Sequence, residues 1–157
     1  MAALDALRNE HARILQAIDR LEAHARNADD GRLPIAYLRE VLDCIHVYVE
    51  ENHHGKEERI LFARMASDPL LAGIAGAFVE EHDEGRHLVA EIESAVTHER
   101  PVARHVDAYA TFIRDHIRRE NDMLFETIES ALDARTLAEI EAALANAESE
   151  SGVIDRV

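Results

Sequence analysis

Tryptophan is absent from this sequence, cysteine occurs once and proline three times. The single thiol, Cys44, excludes an internal disulfide and suits a reducing compartment. Scarce proline, six glycines and few β-branched clusters point toward helices rather than sheets. Positive charge is also short: 17 Lys and Arg stand against 32 Asp and Glu, for a formal net charge of −15 with histidines neutral. That balance argues against nucleic-acid and anionic-membrane partners. No apolar run approaches the ~18 residues of a membrane span. Asp5, Arg8 and Glu10 stand where a secretion signal would be apolar. A cytoplasmic protein is expected, and 157 residues suffice for one domain with a real core.

Histidine, by contrast, is abundant, with ten copies. Two of them open related stretches. His53-His54-Gly55-Lys56-Glu57-Glu58-Arg59-Ile60-Leu61-Phe62 is echoed 63 residues later by His116-Ile117-Arg118-Arg119-Glu120-Asn121-Asp122-Met123-Leu124-Phe125. Each reads His-x-x-x-Glu followed by Leu-Phe. On a helix, residues i and i+4 lie one above the other, so an imidazole nitrogen and a carboxylate oxygen can reach one point. A borderline transition metal asks for that donor mixture. One such pair arises readily by chance on a solvated helix; two in matching apolar contexts are harder to dismiss.

Apolar periodicity predicts five helices. The first spans 3–26, with Leu4, Leu7, His11, Ile14, Ile18 and Leu21 on one face. After a loop around Asp29, Asp30 and Gly31, the second spans 34–66, with the stripe Leu38, Leu42, Ile45, Val49, His53, Glu57 and Ile60. In that phase His53 and Glu57 face inward, whereas His54 and Glu58 fall on the flank. Asp68 and Pro69 are expected to cap a third helix over 70–97 that carries Phe78, His82, Val89 and Ile92. A fourth follows Pro101 to about 131, with Val102, Tyr109, Phe112, His116, Glu120 and Met123. A short fifth is expected near 134–147, with a frayed tail from Glu148.

Short loops between long amphipathic helices imply an all-α, up-down-up-down antiparallel four-helix bundle, with the short C-terminal helix packed on it. The bundle is assigned to residues 1–131 and the helix and tail to 132–157. Counted from the turns, His53 and His82 both lie 13 residues from the second turn, and His82 and His116 both lie 15 from the third. At about 1.5 Å of rise per residue, His11, His53, His82 and His116 then share one level. Burying those histidines with Glu57 and Glu120 would cost several kcal/mol per uncompensated charge. Metal ligation removes that cost. Six ligands are too many for tetrahedral zinc and suit two five- or six-coordinate ions bridged by carboxylates.

These residues resemble the hemerythrin-like, or HHE cation-binding, family. The resemblance covers about residues 4–130. It rests on Asn9-Glu10-His11, His53-His54-Gly55-Lys56-Glu57-Glu58 with Leu61-Phe62, Glu81-His82-Asp83-Glu84-Gly85-Arg86, and His116 with Glu120. It implies a non-haem di-iron centre inside the bundle, held by His11, His53, Glu57, His82, His116 and Glu120, with the two glutamates bridging. The chain departs from oxygen-carrying members, whose third helix supplies His-x-x-x-His: here Arg86 follows His82 at i+4. Their fourth helix also places an aspartate one residue beyond the position of Glu120. The missing histidine implies a more open iron, or one completed by water, His87 or Glu58. Tyr109 is a candidate hydrogen-bond donor to the site or a plain core residue. Gly55 and Gly85 either make room for a ligand or a helix distortion, or let helices pack closely.

The leading expectation is a di-iron protein that binds or reduces a small oxidant, whether O2, NO or peroxide, rather than carrying oxygen reversibly. The alternative is an iron or oxygen sensor, or a store, acting through partner contacts without turnover. A ferritin-like enzyme would use Glu-x-x-His spacing and more glutamates. Neither an appended output domain nor the cysteine-bearing leader of repair-type relatives is expected. Monomer and homodimer are both open.

Overall fold

The computed structural model describes residues 4–28, 30 and 32–147. The expected fraying from Glu148, and loop positions Asp29 and Gly31, lie outside the described residues. Every regular element described is helical. We number them α1 (Asp5–Asn27), α2 (35–65), α3 (Ala72–Thr97), α4 (103–131) and α5 (Ala134–Asn146). No described helix is long and apolar enough to cross a membrane.

Amphipathicity places each long helix. In α1, Leu7, His11, Ile14, Ile18 and Leu21 are buried, while Asp5 in the first turn and His24 and Arg26 in the last complement the helix dipole. α4 packs against α1 and α3, and α2 contacts the same two helices, so the four close into a ring. Two apolar clusters fill it. One gathers Ile14, Ile18, Leu21, Leu38, Val41, Ile45, Val89, Ile92, Val106 and Ile113. The other gathers Leu4, Leu7, Leu61, Phe62, Phe78, Leu124, Phe125 and Ile128, and is closed by Leu137, Ile140 and Leu144 of α5. Each fully buried Leu, Ile or Phe contributes roughly 1.5–3 kcal/mol. The histidines lie along their helices between the two clusters. His11 stands between Leu7 and Ile14, and His82 between Phe78 and Val89.

Both His-x-x-x-Glu helices widen at the motif. α2 is π-helical over Ile45–His54 and Glu57–Phe62, and α4 over Glu120–Leu124. A π turn holds more residues than an α turn, so it advances the phase of everything beyond it. Two expectations fail for this reason. The expected inward Ile60 is only half-buried while Leu61 is fully buried, and the expected inward Met123 is 60% exposed while Leu124 is buried.

Helix starts are less well anticipated. Asp68 does not cap α3: its carboxylate accepts the Leu70 N–H at 2.8 Å within the preceding turn, and α3 begins at Ala72. Asp133 is the one side-chain cap among the described helices, accepting the Thr136 N–H at 2.8 Å. α3 ends with the Arg100 N–H bonded to the Ala95 carbonyl, which requires Glu99 at φ 52°, a left-handed position more often given to glycine.

Candidate metal centre

His11 comes from α1, His53, His54 and Glu57 from α2, His82 from α3, and His116 and Glu120 from α4. All seven are at most 1% exposed. Two overlapping groups form. In one, ligand atoms of His11, His53, Glu57 and Glu120 lie within 4.8 Å of one another; in the other, those of His54, Glu57, His82 and His116 do so. All six residues singled out from the sequence are thus brought together.

The seventh, His54, corrects the expectation of a flanking, solvated side chain. It is buried, and its ring stacks on His82 with centroids 3.9 Å apart. The π-helical run Ile45–His54 supplies the physical cause. With more residues in the turn, positions 53 and 54 both fit on the inward side. Neither residue proposed to complete the second ion joins the cluster. His87 is exposed, and Glu58 is directed to the His82 Nδ1 and to Arg86. His54 instead brings its Nε2 into the cluster, so the missing i+4 histidine no longer argues against reversible oxygen carriage. The sequence signal for the widening is a strict four-residue step, Ile45, Val49, His53, Glu57 and Leu61, which would drift round an ordinary α-helix.

The two carboxylates span the groups. Glu57 Oε1 lies 3.5 Å from His53 Nε2 and 3.7 Å from His11 Nε2, while its Oε2 lies 3.4 Å from His82 Nε2. Glu120 Oε2 lies 3.1 Å from His11 Nε2, and its Oε1 lies 3.3 Å from His116 Nε2. Despite this proximity, the Nε2 atoms of all five histidines and all four oxygens of Glu57 and Glu120 make no aligned hydrogen bond. Native interiors seldom leave so many buried polar atoms unsatisfied. Nine buried nitrogen and oxygen atoms converging between the four helices form a donor set that could hold metal.

Four of the five rings are hydrogen-bonded on their outward faces, whereas His54 Nδ1 only lies near a carboxylate without an aligned bond. His53 Nδ1 meets Glu10 at 2.9 Å, His82 Nδ1 meets Glu58 at 2.8 Å, His116 Nδ1 meets Glu81 at 2.9 Å, and His11 Nδ1 meets Asn121 at 2.9 Å. His54 Nδ1 lies 3.2 Å from Glu50. Holding Nδ1–H outside fixes the tautomer that offers Nε2 inside, as in metal sites generally. Of these outer partners only Glu58 was singled out from the sequence, and there as a candidate ligand. Only their i±4 spacing to Glu50 and the Asn9-Glu10-His11 run hinted at them.

Charge is balanced within the cluster between rings and carboxylates. Burial opposes protonation of His11 and His82, yet Glu120 and Glu57 outweigh it and raise both to about 10. Burial likewise opposes ionisation of Glu57, but His53, His11 and His82 keep it well below the usual range. Glu120 is raised by burial and by Glu57, then brought to about 2 by His116, His11 and His82. His54 is pushed down to about 4, chiefly by burial, against the pull of Glu50. Protons on His11 and His82 thus offset the charge of the two carboxylates, and metal ligation would have to displace them.

Neither glycine opens space for a ligand. A Cβ on Gly55 would meet the Arg59 guanidinium at 2.7 Å, and one on Gly85 would meet the Phe112 ring at 3.1 Å. Phe112 in turn stacks on His116 at 5.9 Å and 9°. Tyr109 is fully buried beside Glu50 and Cys44 with its hydroxyl unbonded, and burial raises its pKa. Cys44 lies in the apolar core.

An all-helical fold enclosing interleaved histidine and glutamate donors defines a class of candidate metal-binding proteins. Within it, residues 2–128 match the Hemerythrin HHE cation binding domain model, and the chain belongs to that family. It is also 27% identical over 135 residues to uncharacterized proteins of Mycobacterium bovis and Mycobacterium tuberculosis, an alignment covering 79% of this chain and 51% of each relative. The chain thus spans about half the length of those relatives.

Proposed function

We propose that the chain holds two iron ions, bridged by Glu57 and Glu120, and binds or reduces a small oxidant such as O2, NO or peroxide. One observation carries the reading: nine converging donor atoms, all buried and none hydrogen-bonded. His11 and His53 would serve one ion, and His54, His82 and His116 the other. The second half has one more histidine, so the first half is the one with room for an exogenous ligand. Bound iron would supply electrons and a Lewis-acidic position for the oxidant. The chain's own part is to orient four imidazoles through Nδ1 hydrogen bonds and the fifth, His54, by its stacking on His82 beside Glu50, and to exclude water. With every cluster residue at most 1% exposed, burial favours a ligand as small as a diatomic or peroxide.

In this reading the four long helices alternate in direction, residues 1–131 form the binding unit, and 132–157 close one end. The cytoplasm is the compartment that suits a lone buried thiol. The test is to load the protein with ferrous iron under anaerobic conditions and mix it separately with O2, NO and peroxide. A prompt change in the visible spectrum with at least one of them is expected. Iron-loaded protein inert to all three would overturn the oxidant reading.

A further inference from the structure

Arg86 holds the i+4 position after His82, yet its guanidinium points away from the donor cluster. Its Nε donates to Glu50 Oε2 at 2.9 Å, its Nη2 to Glu58 Oε1 at 2.6 Å, and its Nη1 to Asp83 Oδ1 at 2.8 Å. Glu58 Oε1 hydrogen-bonds His82 Nδ1 at 2.8 Å, and Glu50 Oε1 lies 3.2 Å from His54 Nδ1, within ion-pair distance but without an aligned hydrogen bond. One side chain on α3 therefore grips two carboxylates of α2, on either side of His54 in the chain, and through them two imidazoles.

The other outer carboxylates are arranged differently. Glu10 meets His53 and has its own cation, Lys56, while Glu81 meets His116 and has its own cation, Arg119. His11 meets only the neutral amide of Asn121 among these partners. Arg86 is thus the shared one. Glu58 is 30% exposed, so without the guanidinium hydration competes for its carboxylate. A planar fork with separate N–H vectors suits this double grip, which a point charge such as lysine reproduces poorly.

We infer that Arg86 is a positioning residue for one metal position of the pair, setting the orientation of both His54 and His82 while leaving the His11 and His53 side to Lys56 and Asn121. The inference rests on the two-metal reading proposed above. It also gives the arginine a role that neither helical spacing nor a search for ligands assigns.

The experiment is an anaerobic titration of metal-free protein with cobalt(II), a coloured stand-in for ferrous iron, followed by visible absorption and equilibrium dialysis. Wild type, Arg86→Gln, Arg86→Lys and Arg114→Gln are compared; Arg114 pairs with Asp19 and Glu22, which are not cluster residues. Removing an outer partner typically weakens a metal site about 10- to 100-fold. The expected result is that wild type and Arg114→Gln bind two ions alike. Arg86→Gln should bind one ion normally and the other at least about tenfold more weakly, with loss of one of two absorption signatures. Arg86→Lys should fall between.

A wild-type titration by Arg86→Gln would overturn the inference and leave the two-metal reading standing, as would equal weakening of both equivalents. Wild type that binds fewer than two ions would overturn that reading and this inference with it. If circular dichroism shows Arg86→Gln unfolded, Arg86→Lys decides: a loss confined to one equivalent supports the inference, and an unchanged titration overturns it.

Discussion

At the residue scale, His54 is where the ordinary helical phase and the folded chain part company. Its Nε2 is as buried and as free of hydrogen bonds as that of His53. We expect His54→Ala to lower bound iron from about two ions per chain toward one, while exposed His87→Ala leaves it unchanged. Iron analysis after anaerobic loading decides it, and equal retention by both variants would remove His54 from the site. Gly85 sets a smaller contest. Alanine there gains roughly 0.5–1 kcal/mol of helix propensity, against a 3.1 Å approach to a half-buried Phe112 that can yield outward. Gly85→Ala should therefore raise the melting temperature of the metal-free protein slightly. It should also disturb the ring packed on His116 and weaken metal binding.

At the scale of the element, the clustering of the six residues proposed from the sequence was legible because His-x-x-x-Glu and a shared helix level do not depend on fine phase. Those residues lie near the middle of helices, where boundary errors of one or two residues matter little. What was not legible begins where the turns widen. A single extra residue in a turn brings His54 inward, exchanges Ile60 for Leu61, and exchanges Met123 for Leu124. Side-chain periodicity at 100° per residue assumes the α-helix that these segments leave. The outer carboxylates escaped for another reason: Glu10 to His53 and Glu81 to His116 are contacts between helices, which no spacing within one helix encodes. The register itself is testable. Leu124→Ala should cost about 2–5 kcal/mol, as for a buried leucine, and Met123→Ala no more than about 0.5 kcal/mol, as for a surface residue. Chemical denaturation of the metal-free protein measures both, and the reverse order would mean that the widened turn is absent.

For the whole molecule, the cluster couples stability to pH and to metal. His11 and His82 have values near 10 in the folded chain against an ordinary 6.5. Their contribution is complete below about pH 6.5 and is lost as pH rises toward 10. Glu120, lowered to about 2 from 4.5, contributes above about pH 4.5 and loses that contribution as pH falls toward 2. His54, held neutral down to about 4, works against the fold as pH drops from 6.5 toward 4, because the unfolded chain takes up the proton first. The metal-free protein should thus be most stable near neutrality and decline on both sides. Thermal unfolding from pH 4 to 10 measures this, and loading with metal should abolish the alkaline decline because ligated imidazoles are already neutral.

The central claim is that these seven buried residues form a two-ion site whose metal-free state is neutralised by protons on His11 and His82. Calorimetric titration of the metal-free protein with ferrous iron at pH 7, without oxygen and in buffers of different ionisation enthalpy, counts ions and protons together. The account predicts saturation at two ions per chain with about two protons released. Saturation at one ion, or at two with no proton release, would contradict it.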